Sequence, residues 1–252
     1  MTTEAILQVS ELCKNIGGLA AVDHVSLEVK AGALHAVIGP NGAGKTTLVN
    51  LLSGDLLASS GSVRFRGNEI SAHTPERRSR LGIGRSYQKT NIFPGFSVLE
   101  NCRLAAQARD PGASNWFRNA LSYDRVVQQA RRALDAVGLA ERADELALAL
   151  SHGEQRQLEI AMCLATEPQL LLLDEPLAGM GIEESLNMIE LITRLGAGHA
   201  VLLIEHDMDA VFQLAKVLTV MVDGRVLASG TPEAIRANRE VQTAYLGGRD
   251  EM

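Results

Sequence analysis

The chain of 252 residues carries a net charge of −6, and 46% of its residues are hydrophobic. Its length suits one large globular domain, with or without a subdomain, and is enough to bury a sizeable core. The acidic charge argues against nucleic acid as a partner, because nucleic-acid-binding domains usually carry a basic face.

The N-terminal residues give no targeting signal. Residues 1–5 lack the basic and then apolar regions of a signal peptide. The longest apolar runs have only a few residues, whereas a membrane span needs about 20. Three widely spaced cysteines without a C-x-x-C pair indicate neither a zinc site nor a disulfide framework. We expect a protein of the reducing cytoplasm that reaches a membrane only through another subunit.

A glycine-rich segment follows the apolar stretch Leu34–Ile38 and precedes a helical pattern that begins near Lys45. This strand–loop–helix order is the context of a phosphate-binding loop, whose glycines let consecutive N–H groups turn toward an anion. Lys45 would add positive charge at the outer phosphates, and Thr46 would offer a hydroxyl to Mg²⁺. A plain glycine-rich turn with a surface lysine is the weaker alternative. The predicted nucleotide-binding residues are Gly39, Pro40, Asn41, Gly42, Ala43, Gly44, Lys45, Thr46 and Thr47.

Two kinds of strand are predicted. Residues 25–29 and 62–66 alternate apolar and polar side chains, which is typical of an antiparallel sheet with one face in water. Leu34–Ile38 and residues 170–173 and 201–204 are apolar nearly throughout, as expected for strands covered on both faces. Helical patterns separate them. The fold class is therefore α/β, a P-loop NTPase core with a mainly parallel sheet and an antiparallel β subdomain.

The middle of the chain, from about residue 97 to 167, is predicted to be mainly helical. Apolar side chains in residues 126–137 recur with a period of 3.6, and Gly138 suits the helix end. Residues 109–119 are predicted to form a loop, and residues 83–87 a less clear strand. We expect one domain, 1–252, in which about 1–96 and 167–252 form the core and about 97–166 form a helical subdomain.

Two turn signals mark the C-terminal part. Val217–Val222 and residues 225–228 flank Asp223 and Gly224, which predicts a β-hairpin. Thr231 followed by Pro232 predicts a helix N-cap with proline at the first helical position.

The strand at residues 170–173 ends in two carboxylates. In P-loop NTPases such a strand delivers an aspartate to the Mg²⁺ shell beside the loop threonine, so Asp174 is a predicted metal ligand. Glu175 would point toward the γ-phosphate and polarise the attacking water as general base. Two acids capping a strand in solvent are the alternative, but four leucines before them would be an odd surface sequence.

Ser151, with Glu154 three residues later, predicts an N-cap and a capping box. Taken alone, this pair of residues would be explained by helix capping. Residues 150–157 nevertheless stand just before the acid-ended strand, and there they resemble the signature motif of the ATP-binding cassette (ABC) superfamily, commonly Leu-Ser-Gly-Gly-Gln. A helix N-terminus with serine and glycine can cap a phosphate presented by another subunit. The resemblance implies an α-helical signature subdomain in which Ser151, Gly153 and Glu154 contact that nucleotide.

The resemblance spans about residues 7–247 and implies further roles. Gln88 matches the Q-loop glutamine, which links Mg²⁺ to the transport partner. His206 matches the switch histidine at the end of a core strand, although a lone histidine is usually structural. The expected catalytic residues are Glu175, His206 and Gln88, and the expected metal ligands are Thr46, Gln88 and Asp174.

Within the superfamily, residues 83–88, 99–101, 155–161 and 230–247 are similar to ATPases of branched-chain amino acid importers. Urea-importer ATPases look alike in the same places, and residues 150–153 are slightly more similar to them. An importer of branched-chain amino acids is therefore the prediction, and an importer of urea or another small polar or amide solute is the alternative. A regulatory module that binds ATP without using it is a third reading, against which the intact site residues argue.

The resemblance also implies cofactors and partners. The cofactors are ATP and Mg²⁺. The partners are membrane (permease) subunits of an ABC transporter, a second ATP-binding subunit that is a paralogue or a copy, and indirectly a solute-binding protein. The chain would lie on the cytoplasmic face of the membrane, where residues 90–94 are expected to meet the membrane subunit.

Four positions depart from the family pattern. Ile16 stands near the place where an aromatic side chain usually stacks on adenine, so only apolar contact is expected there. His152 and Glu154 replace the usual glycine and glutamine of the signature. Gly181 stands where many members have an aspartate that couples the two sites, so this departure concerns the coupling, and ATPase activity is still expected.

Overall fold

A computed structural model describes residues 4–88, 90–109 and 124–246. The predicted loop at residues 109–119 falls almost entirely outside this range. One sheet is antiparallel, with strand order β2-β1-β4-β5. Its strands are β1 (Ala5–Ile16), β2 (Leu19–Lys30), β4 (Ser60–Phe65) and β5 (Asn68–Glu69). Val63 and Phe65 are buried between exposed neighbours, so the predicted alternation is confirmed.

The central sheet has the strand order β10-β9-β3-β8-β7-β6. All neighbouring strands run parallel except the hairpin at its edge, β9–β10. The predicted strand at residues 83–87 is shorter in the structure and ends at Arg85. The strands are β3 (Leu34–Ile38), β6 (Ile83–Arg85), β7 (Leu170–Asp174), β8 (Ala200–Ile204), β9 (Val217–Val222) and β10 (Arg225–Gly230).

The core lies on both faces of this sheet. In β7, Leu171 and Leu173 join one apolar cluster, while Leu170 and Leu172 join the other. Every residue of β3, β7 and β8 is buried. Burial on two faces explains why these strands are apolar throughout and do not alternate.

The helices cover both sheets and connect their strands. The predicted stripe on α4 is buried, and Gly138 follows it with φ +82°, as a helix end requires. Helices α3, α4 and α5 pack against one another. The helices are α1 (Lys45–Ser53), α2 (Pro75–Leu81), α3 (Val98–Gln107), α4 (Asp124–Val137), α5 (His152–Ala165), α6 (Ile182–Gly196), α7 (Met208–Leu214), α8 (Pro232–Ala237) and α9 (Arg239–Val241).

The two C-terminal turn predictions are confirmed. Asp223 and Gly224 both have positive φ between β9 and β10, as a two-residue hairpin turn demands. The Thr231 hydroxyl accepts a hydrogen bond from the Ala234 amide at the start of α8. Over the residues described, no helix has the length and apolar character needed to cross a bilayer.

The parallel strands bring the chemistry-bearing residues to one edge. The glycine-rich loop leaves β3, the two acids end β7, and His206 follows β8. Asp174 pairs in register with Ile204, the last residue of β8. The carboxyl edge of such a sheet is where ligands bind in open α/β folds.

Candidate functional site

The glycine-rich loop between β3 and α1 is held by close backbone contacts. Gly44 has φ +94°, and a Cβ there would lie 2.3 Å from the carbonyl oxygen of Ala21. A Cβ at Gly39 would lie 2.1 Å from the carbonyl oxygen of Met221. Any side chain at these two positions would force the loop away from its neighbours. The glycines therefore fix the loop against the two sheets as well as leaving its N–H groups open.

Lys45 begins α1 and is buried at the mouth of this loop. Its ammonium donates to the carbonyl oxygens of Gly39 at 2.7 Å and Pro40 at 3.0 Å. Burial lowers the pKa of Lys45, and the nearby carboxylates of Glu175 and Asp174 oppose this shift. The charge is thus positioned beside the helix N-terminus, where an anion is favoured.

The loop opens on a cleft of about 490 Å³, within the usual range for ligand sites. Across the cleft, the Gln88 amide donates to a carboxylate oxygen of Glu175 at 2.9 Å. The structure therefore brings the predicted loop, Gln88 and Glu175 together. The lining residues are Leu19, Ala20, Ala21, Asn41, Gly42, Ala43, Gly44, Lys45, Thr46, Thr47, Gln88, Glu175, Asp223 and Gly224.

Asp174 is 1% exposed, and neither of its carboxylate oxygens has a hydrogen-bond partner in the described part of the chain. Burial raises the pKa of Asp174, while the Arg85 guanidinium at 3.7 Å lowers it. Orphaned buried oxygens call for a cation. The Asp174 carboxylate, the Thr46 hydroxyl and the Gln88 amide oxygen are the hard donors that Mg²⁺ prefers, so the residues fit this ion.

Arg85, at the end of β6, is a site residue that the sequence did not reveal. Its guanidinium lies 2.6 Å from the Asp55 carboxylate and 2.7 Å from the Ser53 hydroxyl, and it stacks 4.6 Å from the Tyr87 ring centre. It therefore joins the end of α1 to Asp174. The only sequence signal was an arginine inside a predicted strand.

Two residues of α5 hold the Gln88 segment. The buried guanidinium of Arg156 donates to the carbonyl oxygens of Tyr87 and Gln88, the first at 2.6 Å. The Glu159 carboxylate accepts from the Tyr87 amide at 2.9 Å and from Arg156 at 3.2 Å. Burial raises the pKa of Glu159. This pair, which sequence reasoning missed as functional, couples the helical region to the cleft.

The backbone is strained where the acids leave the sheet. Glu175 has φ +49°, a conformation that non-glycine residues seldom adopt, and its amide donates to Ile204 at 2.9 Å. The next strand end places His206 at the surface, with its Nδ1 3.7 Å from the buried Glu205 carboxylate. Glu205 accepts from the amides of Leu177 and His206, and burial raises its pKa. His206 is not among the residues that line the cleft.

Comparison with known proteins identifies this arrangement. The ABC transporter family model matches residues 22–178, which is more than half of the chain. The chain belongs to the ABC transporter ATP-binding family. It is therefore an ATP-binding cassette, an ATPase that energises a transporter.

Relatives resemble the cassette over nearly its whole length. The high-affinity branched-chain amino acid transport ATP-binding protein LivG of Salmonella typhimurium is 38% identical, covering 97% of this chain and 99% of the relative. The corresponding protein BraF of Pseudomonas aeruginosa is 39% identical, covering 96% and 98%. A second model, for branched-chain amino acid ATP-binding cassette transporters, matches residues 225–251. A crystal structure of an ABC transporter cassette in its ADP conformation superposes with TM-score 0.85 and 31% identity, covering 97% and 100%.

The residues predicted to form the signature motif lie at the start of α5 and do not line the cleft. The predicted capping box is present, because the Ser151 hydroxyl accepts from the Glu154 amide and the Ser151 amide donates to the Glu154 carboxylate. Arg142 pairs with that carboxylate. Ser151, Gly153 and Glu154 are thus brought together with one another but not with the loop of their own chain.

Ile16 also lies outside the cleft lining of the cassette. It pairs with Leu19 across the turn between β1 and β2, and both side chains are exposed. Leu19 is the one that lines the cleft. The sequence did not reveal Leu19, because the packing of the two sheets against each other decides which residue of this hairpin reaches the cleft.

Proposed function

We propose that the cassette energises the import of branched-chain amino acids from the cytoplasmic face of a membrane. The observation that carries the solute class is the near-complete match to relatives named for this transport, together with the C-terminal family match at residues 225–251. We also propose the domain division that the sequence predicts, which is one domain with a helical subdomain at about residues 97–166.

The residues of the cleft suggest how hydrolysis proceeds. The Lys45 ammonium and the backbone N–H groups of residues 39–47, except Pro40, bind the phosphates of ATP. Thr46, Asp174 and Gln88 would hold Mg²⁺, which would supply positive charge beside the transferred phosphoryl group. Glu175 takes the proton of the attacking water as general base. His206 does not line the cleft in the single chain, so its proposed role requires it to approach the nucleotide from the end of β8. Gln88 holds the Glu175 carboxylate through its amide.

A second cassette, either a copy or a paralogue, completes the site. The Ser151–Glu154 segment does not line the cleft of its own chain, so a head-to-tail pair would bring it to the partner's nucleotide. Closing the pair would then move the membrane subunits, and hydrolysis would reopen it.

The proposal is tested by transport in proteoliposomes that hold this chain and the membrane subunits that co-purify with it, supplied with the solute-binding protein. ATP-dependent uptake of leucine is expected, and uptake of urea is not. Glu175→Gln is expected to lower both uptake and phosphate release by at least about 100-fold, because general-base catalysis contributes at least that factor. Urea uptake without leucine uptake would assign the other solute, and turnover that survives Glu175→Gln would remove the base.

A further inference from the structure

Glu184 bridges the starts of two helices. Its Oε2 accepts from the Gly181 amide at 3.3 Å and so caps its own helix, α6. Its Oε1 accepts from the Ser151 hydroxyl at 3.4 Å and from the Gly153 amide at 3.3 Å, both at the start of α5. These three donors are neutral, so none of them offsets the negative charge of Glu184.

The absence of a side chain at Gly153 permits this approach. A Cβ there would lie 2.8 Å from Oε1 of Glu184 and 3.0 Å from its Cδ. The carboxylate therefore fits against the exposed N–H groups of α5, where the helix dipole favours an anion. The neighbouring acid Glu154 differs, since Arg142 pairs with it.

We propose that Glu184 competes with the terminal phosphate of the partner's ATP for the donors of Ser151 and Gly153. This inference rests on the shared site of the proposed function. In the separated cassette a carboxylate of the same chain occupies those donors. When the pair closes, a phosphate would meet them, and two anions repel each other at one helix N-terminus. Glu184 thus sets how much ATP is needed for closure.

The competition predicts a specific nucleotide dependence. Only a nucleotide with a γ-phosphate would meet Glu184, because ADP stops short of the signature segment. Glu184→Gln removes the charge and keeps one acceptor oxygen, which can still serve the Ser151 hydroxyl and the Gly153 amide, while the Gly181 amide loses its side-chain partner. In the transporter complex purified through this chain, the variant is expected to lower the half-saturating concentration of AMP-PNP about tenfold, as removal of one repulsive charge would give. Half-saturation by ADP should change less than twofold.

The experiment compares wild type, Glu184→Gln and Glu183→Gln by equilibrium binding of labelled AMP-PNP and ADP. Glu183 is an exposed acid one position earlier on the same helix, and it controls for a general change of surface charge. The Glu184→Gln effect should shrink at high salt, which screens exposed charges. An unchanged or weaker AMP-PNP affinity, or an equal shift for ADP, overturns the role of Glu184.

A third variant separates this inference from the proposed function. Ser151→Ala removes a donor of the shared site and is expected to lower ATP turnover in the same complex. If turnover survives this change, the shared site itself is wrong. If turnover is lost while Glu184→Gln leaves AMP-PNP binding unchanged, only the competition by Glu184 is wrong.

Discussion

Arg85 shows how one buried cation organises the acid end of the cleft. Its guanidinium is flanked by Asp55 at 2.6 Å and Asp174 at 3.7 Å, and the side chains of Arg85 and Asp174 are almost fully buried. The Asp174 oxygens have no hydrogen-bond partner among the residues described. In the absence of Mg²⁺, Arg85 is therefore the main compensation for that buried charge.

Arg85→Met is expected to lower the free energy of unfolding by about 3 kcal/mol in Mg²⁺-free buffer, because it leaves Asp174 without its counter-charge. Asp174→Asn added to Arg85→Met should recover part of this loss. Urea denaturation of the two single variants and the double variant gives the coupling free energy. Asp55→Asn serves as the control for the second ion pair of Arg85, the one with Asp55. If the losses in unfolding free energy of Arg85→Met and Asp174→Asn are strictly additive, the proposed coupling between these two residues is wrong.

The site could be predicted from sequence where its residues are contiguous. Lys45 and Thr46 begin α1 directly after the glycine-rich loop, and Asp174 and Glu175 end one apolar strand, so local patterns were sufficient to propose them. Arg85, Arg156 and Leu19 act through contacts made by distant segments. No local pattern distinguishes them from an ordinary arginine or leucine, so only the tertiary structure brings them to the site.

At the scale of elements, polar side chains connect three neighbouring strands of the central sheet, β3, β9 and β10. His35 on β3 lies 2.8 Å from the Thr219 hydroxyl on β9, which in turn lies 2.8 Å from Ser229 on β10. The other ring nitrogen of His35 lies 3.0 Å from the Glu28 carbonyl oxygen. Burial lowers the pKa of His35 below its ordinary value of 6.5.

This burial predicts an acid-sensitive fold. Just below pH 6.5, His35 is protonated in the unfolded chain but stays neutral in the folded chain, because its folded-state pKa is lower. The free energy of unfolding therefore falls as the pH drops through 6.5 toward that lower pKa. Between pH 7.5 and 5.5, wild type should lose about 1 kcal/mol more than His35→Gln. Urea denaturation at both pH values measures this difference. His199→Gln, at a partly exposed histidine, should keep the wild-type loss, and equal losses for wild type and His35→Gln would contradict the explanation.

The elements themselves were predictable where one physical cause dominates. β3, β7 and β8 are buried on both faces, so their composition alone identified them. The hairpin turn at Asp223 was predicted because its backbone needs a particular pair of residues. The strand at residues 83–87 was predicted too long, since the chain turns after Arg85 to meet Arg156 and Glu159, a contact that the local sequence does not encode.

At the scale of the whole molecule, the proposed function divides each ATP site between two chains. The loop, Gln88 and Glu175 surround one cleft, while α5, which begins with the signature-like residues, starts outside the lining of that cleft. Arg156 and Glu159 connect the two, because they lie on α5 and hold the segment that ends in Gln88. Movement of α5 would therefore reach the cleft through this segment.

Beyond Gln88 in the chain, two aromatic residues and two leucines form an exposed surface. We call this surface the aromatic patch and define it as Phe93, Phe96, Leu146 and Leu148. Phe93 is 50% and Leu148 59% exposed, and the rings of Phe93 and Phe96 stack with their centres 5.5 Å apart. The side-chain amide of Asn101 accepts from the Phe93 backbone amide and donates to the Phe93 carbonyl oxygen. The Leu148 amide donates to the Pro94 carbonyl oxygen. An ordered exposed apolar patch is typical of a partner surface, which favours it as the contact of the membrane subunit.

Phe93→Ala is expected to weaken the binding of the membrane subunits about 30-fold, since an aromatic anchor at an interface contributes about 2 kcal/mol. Leu148→Ser should act in the same direction. Co-purification of the membrane subunits and solute uptake measure the loss, while ATP binding by the free cassette should persist because neither residue lines the cleft. Leu57→Ser is the matched control, being 60% exposed but outside the aromatic patch. If Phe93→Ala leaves membrane association and transport at the level of Leu57→Ser, the membrane subunit binds another surface.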